Sequence, residues 1–400
     1  MQSSNQLADL DPADPQYASR VVDRLLAAGR AAGASDLHLQ ATAEGLEAKL
    51  RIDGALQGLA LVPKALAANV IARLKVQAEL LTYRTDTPQE GRIRLGDGNV
   101  EMRLSTFPTL HGESAVVRLF GRAGQFERLT DLGLPGDVLS GIEELLGETA
   151  GAILVSGPAG SGKTTTAYAC LRGLALRAAG ARSLVSLEDP IEIAVPGVAQ
   201  SQVNPAAGLD LATGLRFLMR QDPEVIMVGE IRDRATAEAA MQASLTGHLL
   251  LSTFHAGSAV ETLGRLLDMG IEPYVVRSGL LAILCQRLLR RLCSCAEEIT
   301  DPPDYLGLPL ERAHRPVGCA ACGKTGYRGR ILLAEMLVLK PAVAVELGRA
   351  VLARADTSVL EPLAVQAGMV TRWRRAISAV ECGETSPAEV RRVLGLAAVS

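Results

Sequence analysis

The chain has 400 residues, of which 48% are apolar, so it can bury the cores of roughly two or three domains. Its net charge of −3 gives no general attraction to nucleic acid or anionic lipid, and 3% of aromatic residues provide few stacking platforms for single strands. Residues 1–15 lack the basic and apolar regions of a signal peptide, and the longest uncharged stretch of the second half, residues 239–260, contains several polar side chains. We therefore expect a cytoplasmic protein with no transmembrane segment.

Residues 1–16 are expected to form a disordered tail, and residues 17–128 a small α+β domain. Helical spacing of apolar residues predicts helices over residues 17–32 and 66–81. Alternating apolar and polar residues predict five strands, over residues 35–40, 47–52, 92–95, 100–104 and 115–119. The sequence Asp53-Gly54 is typical of a turn between strands.

Arginines recur at the strands and turns of this domain, at Arg51, Arg92, Arg103 and Arg118. A solvated strand face would explain them. They could equally face a triphosphate that is held by a neighbouring subunit. The residues alone favour neither explanation over the other.

The segment Gly157-Pro158-Ala159-Gly160-Ser161-Gly162-Lys163-Thr164 fits the phosphate-loop pattern G-x-x-x-x-G-K-[ST]. An apolar stretch before it predicts a buried strand over residues 152–156, and the residues after it predict a helix over residues 165–177. Glycines let the backbone N–H groups turn toward a phosphate, and the helix N-terminus adds the positive end of a dipole. We expect this segment and Thr165 to bind a nucleotide, with Lys163 on the β- and γ-phosphates and the hydroxyl of Thr164 on Mg²⁺.

Strands and helices alternate beyond the loop, which predicts a parallel α/β sheet. Strands predicted over residues 183–187, 225–228 and 249–253 are followed closely by Glu188, Glu230 and His255. Ligands of such sheets bind at the carboxyl ends of the strands, where the phosphates would lie.

These side chains provide the groups that phosphoryl transfer to water requires. Glu188 is predicted to orient or deprotonate the attacking water, and Glu230 to ligate Mg²⁺ through water. His255 or His248 would donate a hydrogen bond to the γ-phosphate. Arg216 and Arg220, spaced one helical turn apart, could pair with carboxylates or reach a subunit boundary.

Four motifs, in this order, resemble the type II/type IV secretion ATPases, the motors of general secretion and of type IV pilus extension. They are the phosphate loop with its threonine run, the acidic box at residues 186–192, the Walker B stretch at 226–233 and the histidine box at 245–255. Further segments resemble the same family, at residues 34–39, 51–54, 88–93, 103–108 and 323–330. The resemblance extends over residues 17–396.

The resemblance implies an α/β fold, with a RecA-like P-loop NTPase core over residues 129–292 after an α+β clamp domain. It also implies a Cys-pair module over residues 293–330 and a helical C-terminal domain over residues 331–400.

In the same way it implies a homo-hexamer that hydrolyses ATP in shared clefts, which Arg51, Arg103 and Arg118 complete when the domains close. Arg216 and Arg220 match an arginine pair of the family's core. The motion would pass to an inner-membrane platform protein that inserts or removes pilin-like subunits, which would hold the motor at the membrane periphery.

Two features depart from the family pattern. Only sixteen residues precede the clamp domain, where secretion and pilus-extension members usually carry a further domain that docks on the membrane partner. The second cysteine pair, Cys319 and Cys322, has the usual C-x-x-C spacing, whereas the first pair, Cys293 and Cys295, is one residue short. Four thiolates can hold one tetrahedral ion, so we expect a structural Zn²⁺.

The other three cysteines are Cys170, Cys285 and Cys382, and we assign no role to Cys382. An odd total of seven argues against a disulfide framework. Cys170 and Cys285 lie in apolar stretches read as helical, and we expect them in the core.

Three alternatives to a pilin or pseudopilin assembly motor are open. A retraction or DNA-uptake motor belongs to the same class, and the cysteine loop argues against retraction. A RecA-like ATPase that acts on nucleic acid is disfavoured by the charge and aromatic content. A ring component that no longer hydrolyses nucleotide is disfavoured by the presence of Lys163, Glu188 and Glu230.

Overall fold

The computed structural model describes residues 7–95, 100–119, 126–340 and 344–395. Residues 1–6 of the predicted tail and residues 396–400 of the predicted C-terminal domain lie outside these ranges. Residues 7–16, predicted as part of a disordered tail, are ordered, because Leu7 is buried in the core of the first unit and Asp14 pairs with Arg20. The chain divides into two compact units, residues 1–124 and 125–400. The finer domain boundaries at residues 292 and 330 stay predictions.

The first unit contains a six-stranded antiparallel sheet in the spatial order β3-β2-β1-β6-β5-β4. Its elements are α1 (Tyr17–Ala31), β1 (Asp36–Ala41), β2 (Gly45–Ile52), β3 (Ala55–Pro63), α2 (Lys64–Gln77), β4 (Gln89–Leu95), β5 (Val100–Thr109) and β6 (Gly112–Leu119). The predicted turn joins β2 to β3, because Asp53 and Gly54 both take positive φ, at 48° and 81°. The sequence pattern did not predict β3, which contains Gly58 and a register irregularity against β2.

One face of this sheet is apolar and buried, and the other is polar. Alternate residues such as Leu37, Leu50, Leu104 and Val117 form the core with residues of α1 and α2. Since neighbouring positions of a strand point to opposite faces, the residues between them face away from this core. The strand pairing therefore explains the alternation seen in the sequence.

The polar face carries a row of charged residues that are directly opposite one another across five strands. The row runs Arg51, Asp36, Arg118, Arg103 and Arg92, one residue from each of β2, β1, β6, β5 and β4. Directly opposite residues lie close enough to interact. Asp36 accepts a hydrogen bond from Arg118 at 3.3 Å and lies 3.7 Å from the Nε of Arg51.

The second unit contains a seven-stranded sheet in the order β15-β12-β7-β11-β10-β8-β9. Its strands are β7 (Gly151–Ser156), β8 (Leu184–Glu188), β9 (Ala199–Gln202), β10 (Val225–Ile231), β11 (Leu249–Phe254), β12 (Leu280–Leu292) and β15 (Tyr327–Val338). All neighbours pair in parallel except β15, which is antiparallel to β12. Every residue of β7, β8 and β11 is buried, as expected for a parallel sheet that is covered on both faces.

Helices connect and flank these strands. They are α3 (Gly136–Leu145), α4 (Lys163–Ala178), α5 (Leu211–Leu218), α6 (Arg234–Leu245), α7 (Ala259–Asp268), α8 (Pro273–Gly279), α9 (Val345–Leu352), α10 (Thr357–Gln366), α11 (Arg372–Glu381) and α12 (Pro387–Leu394). Two apolar clusters lie on the two sides of the sheet, because alternate residues of a strand such as β7 contribute to one or the other. None of the helices in the described ranges combines the length and the hydrophobicity that a membrane span requires.

The last helices and the cysteine segment share one further core. Two short strands, β13 (Glu297–Ile299) and β14 (Ala313–Arg315), pair with each other beside the end of β12. Ile299 and Ala313 of this pair pack in one cluster with Ile331 of β15, Val380 of α11 and Val390 of α12.

Two local predictions were wrong. The sequence predicts Cys285 in a helix, but it is a buried residue of β12. The sequence also predicts residues 331–338 in a helical domain, but they belong to β15. A continuous apolar run does not distinguish a buried strand from a buried helix by its period.

Candidate functional site

The phosphate loop connects the end of β7 to the start of α4, as the sequence predicted. Gly157, Gly160 and Gly162 have φ of 148°, 74° and 91°, a region that L side chains rarely adopt. A Cβ at Gly157 would also come within 2.5 Å of the Ser161 hydroxyl and 2.6 Å of the Gln286 carbonyl oxygen. The loop therefore requires glycine here on both conformational and steric grounds.

Lys163 is the first residue of α4, and its side chain is largely buried. Its Nζ donates a hydrogen bond to the Pro158 carbonyl oxygen at 3.0 Å, across the loop. Burial lowers the pKa of Lys163, while the Glu230 carboxylate acts in the opposite direction. A cation held in this position suits the binding of a phosphate group.

A pocket of about 110 Å³ opens beside the loop. Its lining includes Lys163, Thr164, Glu188, Glu230 and His255. These residues come from α4, from β8 and β10, and from the end of β11, so the parallel sheet brings together side chains that are up to 92 positions apart in the sequence (163 to 255). The convergence that the strand ends predicted is present.

Glu188 is the last residue of β8 rather than the residue after it, and it is 3% exposed. Its carboxylate accepts hydrogen bonds from the hydroxyl of Tyr168, from Ser186 Oγ at 2.6 Å and from Gln200 Nε2 at 2.9 Å. Burial, together with the bond to Glu188, raises the pKa of Tyr168 far above its ordinary value, so its hydroxyl stays protonated. These three donors were not among the residues that the sequence predicted for the site.

Glu230 lies near the end of β10, and its surroundings are charged. The carboxylate forms an ion pair with Arg232, and its Oε2 lies 3.5 Å from Nε2 of His255. Burial lowers the pKa of His255, and the positive charge of Lys163 contributes, so the ring is neutral near pH 7. The β10 and β11 ends are further joined by a 2.8 Å hydrogen bond from Thr253 Oγ1 to the Gly229 carbonyl oxygen.

Several predicted residues are not part of the lining of this pocket. His248 precedes β11, at the opposite end of the strand from His255, and its Nδ1 lies 3.0 Å from the Ala243 carbonyl oxygen. Arg216 and Arg220 are exposed, and within the described residues neither forms an ion pair. Arg51, Arg103 and Arg118 belong to the first unit.

The four predicted cysteine ligands converge on one point. The sulfurs of Cys293, Cys295, Cys319 and Cys322 all lie within 4.8 Å of one another, and three of their separations are 3.8–3.9 Å. Tetrahedral zinc with Zn–S bonds of about 2.3 Å requires sulfurs about 3.8 Å apart. Backbone N–H groups of Cys319 and Gly326 lower the pKa of Cys322 to about 6, which favours the thiolate form of a ligand. The C-x-C pair thus fits a tetrahedral site.

The sequence matches the model of the Type II/IV secretion system protein family over residues 11–392. The chain belongs to this family. It is 40% identical, over 402 aligned positions, to a putative type II secretion system protein E of Escherichia coli K12, with 98% of this chain and 80% of the relative covered. It is 37% identical to the type IV pilus assembly ATPase PilB of Thermus thermophilus over 90% of this chain, which spans only 41% of PilB.

The solved structure of the ATPase DotB of Legionella pneumophila has the same fold. The TM-score is 0.70 at 21% identity, and the match covers 98% of this chain and 99% of that one. The predicted RecA-like P-loop NTPase core with its small α+β domain, cysteine loop and helical C-terminal region is therefore confirmed for this family member.

Two residues of β12 that the sequence did not predict for the site contact the phosphate-loop region and the segment after His255. Gln286 of β12 is fully buried and donates from Nε2 to Thr166 Oγ1 at 2.9 Å, and its backbone oxygen is the one that crowds Gly157. Arg287 donates to the Gly257 carbonyl oxygen at 2.6 Å, just after His255. A polar Gln-Arg pair inside an apolar strand is a signal that the sequence offered.

Proposed function

We propose that this member of the Type II/IV secretion system family is a motor that hydrolyses ATP to power the assembly of pilin or pseudopilin fibres in a type II secretion or type IV pilus system. The observation that carries the proposal is the convergence of Lys163, Thr164, Glu188, Glu230 and His255 on one pocket. A lysine, two carboxylates, a hydroxyl and a neutral histidine are the groups that phosphoryl transfer to water uses.

Each group has a distinct proposed task. Residues 157–165 bind the phosphates through the backbone N–H groups of the loop, to which Pro158 contributes none, and through the Lys163 ammonium. The Thr164 hydroxyl and, through water, the Glu230 carboxylate would hold Mg²⁺, which when bound neutralises phosphate charge. Glu188 orients the attacking water and accepts its proton. His255 donates a hydrogen bond to the γ-phosphate, which its position beside Glu230 supports.

We infer that the working unit is a homo-hexamer with shared sites. The polar face of the first unit carries four arginines and one aspartate in a single row, so this row has a net positive charge. In the described residues Arg103 has no ion pair. Arg51, Arg103 and Arg118 are the proposed donors to a triphosphate bound by a neighbouring subunit, and Arg216 and Arg220, which are exposed, are proposed to act at the subunit boundary.

We also propose that Cys293, Cys295, Cys319 and Cys322 hold a structural Zn²⁺, because the sulfur separations fit a tetrahedral ion. Filling all four positions with sulfur would leave none open for catalysis. The ion would stabilise the small core that β13, β14 and the last helices share.

The proposed partners follow from the relatives, one named for type II secretion and one for type IV pilus assembly. The motor would act from the cytoplasmic side on an inner-membrane platform protein, and through it on pilins or pseudopilins. Deleting the gene tests whether the motor assembles or retracts fibres. Loss of an assembly motor leaves cells without fibres, whereas loss of a retraction motor leaves an excess of them.

The first experiment measures phosphate release and particle mass together over a range of protein concentrations. We expect turnover per chain to rise as hexamers form, and Glu188→Gln to remove it. Equal turnover by monomer and hexamer would refute the shared-site arrangement.

A mixing experiment tests the shared site directly. Lys163→Ala and Arg103→Ala subunits should each be inactive, and their mixture should recover turnover, because some clefts then combine an intact phosphate loop with an intact arginine. A mixture of Lys163→Ala with Glu188→Gln is the matched control. It should stay inactive, since every cleft would lack one group of the second unit.

A further inference from the structure

The hydrogen bonds around Glu188 form a closed network. Its Oε1 accepts from Ser186 Oγ at 2.6 Å and from Gln200 Nε2 at 2.9 Å, and its Oε2 accepts from the hydroxyl of Tyr168. An ionised carboxylate offers about four acceptor sites, so three occupied sites leave about one, on Oε2, for a further donor. Glu188 lines the pocket, so that donor can be a water beside the nucleotide.

The direction of the Tyr168 hydroxyl is determined by the segment that follows β8. The hydroxyl oxygen lies 3.1 Å from the backbone N of Glu192 and 3.4 Å from that of Ile193, and it accepts from both N–H groups. Both of its lone pairs are thus occupied, and its proton is donated to Glu188. Tyr168 is 2% exposed, which restricts any other arrangement.

Gln200 of β9 also links the segment after β8 to the Glu188 carboxylate. Its Oε1 accepts from the backbone N–H of Val195 at 2.6 Å, while its Nε2 donates to the Ile193 carbonyl oxygen at 3.1 Å as well as to Glu188. The segment 192–195 is therefore bound through four of its backbone groups by two side chains, and each of these side chains also binds Glu188.

We propose that Tyr168 and Gln200 are positioning residues that couple the position of segment 192–195 to the orientation of the Glu188 carboxylate. The inference rests on the proposed role of Glu188 as the residue that orients water. When the segment is in place, the carboxylate has one free acceptor direction, toward the pocket. When it is displaced, Tyr168 and Gln200 lose their backbone partners and release the carboxylate.

A simpler account is that Tyr168 and Gln200 only stabilise the fold, as buried polar groups often do. The two accounts differ in kinetics. A structural role lowers stability and affects substrate binding and turnover together, whereas misplacing a catalytic group lowers kcat and leaves KM for ATP unchanged.

The test compares Tyr168→Phe and Gln200→Met with wild type in the full hexameric protein. We expect kcat to fall roughly tenfold in Tyr168→Phe and less in Gln200→Met, with KM unchanged, because a small misplacement of a reacting group costs this much or more. Hydrogen exchange of the peptide that contains residues 189–198 should become faster in both variants, since its amides lose their acceptors.

Tyr327→Phe is the matched control. It also removes a buried tyrosine hydroxyl, one that lies 2.6 Å from Ser386 Oγ, outside the pocket. We expect this control to lower the melting temperature and to leave kcat intact. The positioning role is refuted if Tyr168→Phe keeps its kcat, as Tyr327→Phe does, or if its kcat falls while its KM for ATP rises.

Failure of this inference is distinguishable from failure of the proposed function. If Glu188→Gln is inactive while Tyr168→Phe and Gln200→Met turn over like wild type, the network has no positioning role and Glu188 keeps its own. If Glu188→Gln turns over like wild type, the role of Glu188 is refuted and the positioning role falls with it.

Discussion

Glu188 and Glu230 both line the pocket, yet neutral donors surround the first, whereas an arginine and a titratable histidine lie beside the second. Glu188 is 3% exposed and receives hydrogen bonds from two hydroxyls and an amide. The side chain of Glu230 is 17% exposed and lies beside Arg232 and His255. The same residue type thus occupies two environments at one sheet edge.

The difference matches the two proposed tasks. Neutral donors fix the direction of a carboxylate without adding charge, so Glu188 keeps one acceptor site free toward the pocket. Charged neighbours make Glu230 part of an electrostatic group whose balance changes with Mg²⁺ and with pH. The comparison therefore predicts which variants affect the proton acceptor and which affect the metal.

The largest effect is expected from Glu188→Gln, since the amide keeps the size of the side chain and removes the proton acceptor. Turnover should fall about 10³-fold, within the usual range for general acid–base catalysis. Affinity for a fluorescent ATP analogue should not change, because the phosphate loop is intact. Glu224→Gln, an exposed carboxylate paired with Arg182 outside the pocket, serves as control and should retain full turnover.

Glu230→Gln should have a smaller and different effect. We expect turnover to fall about 30-fold, as for loss of a group that supports a metal through water, and the Mg²⁺ concentration for half-maximal turnover to rise. Titrating Mg²⁺ against phosphate release measures both. An unchanged Mg²⁺ requirement would contradict the proposed division between the two carboxylates.

The sequence predicted the groups of this pocket that follow from linear patterns. The phosphate loop is contiguous, and the carboxyl ends of parallel strands meet at one edge, so Lys163, Glu188, Glu230 and His255 could be placed without coordinates. Strand ends do not specify surroundings. The contrast between Glu188 and Glu230 could not have been predicted from their similar positions.

The rest depended on tertiary contacts between segments. Tyr168 lies on α4 and Gln200 on the edge strand β9, and they meet at Glu188 only because β8 lies between them. The row of arginines in the first unit likewise depends on strand register, which the alternation of residues does not specify. Arg220 follows the end of α5, so the helical spacing assumed for it and Arg216 ends before it.

His255→Asn should change the pH dependence of turnover, because His255 lies beside Glu230. Burial lowers the pKa of His255 most, and the charge of Lys163 lowers it further. The ring therefore gains a proton only at a pH below the ordinary histidine pKa of 6.5. The cation would then compete with Mg²⁺ for Glu230, and wild-type turnover should fall roughly threefold more than that of the variant between pH 7 and pH 5.5. Since the unfolded chain binds this proton more readily, the same group also makes folding less stable as the pH falls below 6.5.

The readout is the ratio of the two rates across this range, with phosphate release measured at saturating Mg²⁺ and ATP. A ratio that stays constant would show that His255 does not titrate beside Glu230. In that case any loss of wild-type turnover at low pH would have to arise from another group, and His255 would not be a pH-dependent neighbour of Glu230.

Removing metal from the cysteine cluster should have the smallest effect on turnover, because Cys293, Cys295, Cys319 and Cys322 do not line the pocket. Purified protein should contain one zinc per chain, and Cys295→Ser or a chelator should lower the melting temperature, since ligand sets of this kind stabilise small cores. Turnover per hexamer should change by less than about twofold, as expected for a substitution whose effect is confined to stability. A large loss of turnover from intact, zinc-free hexamers would mean that the cysteine cluster affects the pocket. The route would be β12, which contains Gln286 beside the phosphate loop and ends just before Cys293. The surroundings of Glu188 and Glu230 would then depend on the cluster as well as on their own neighbours.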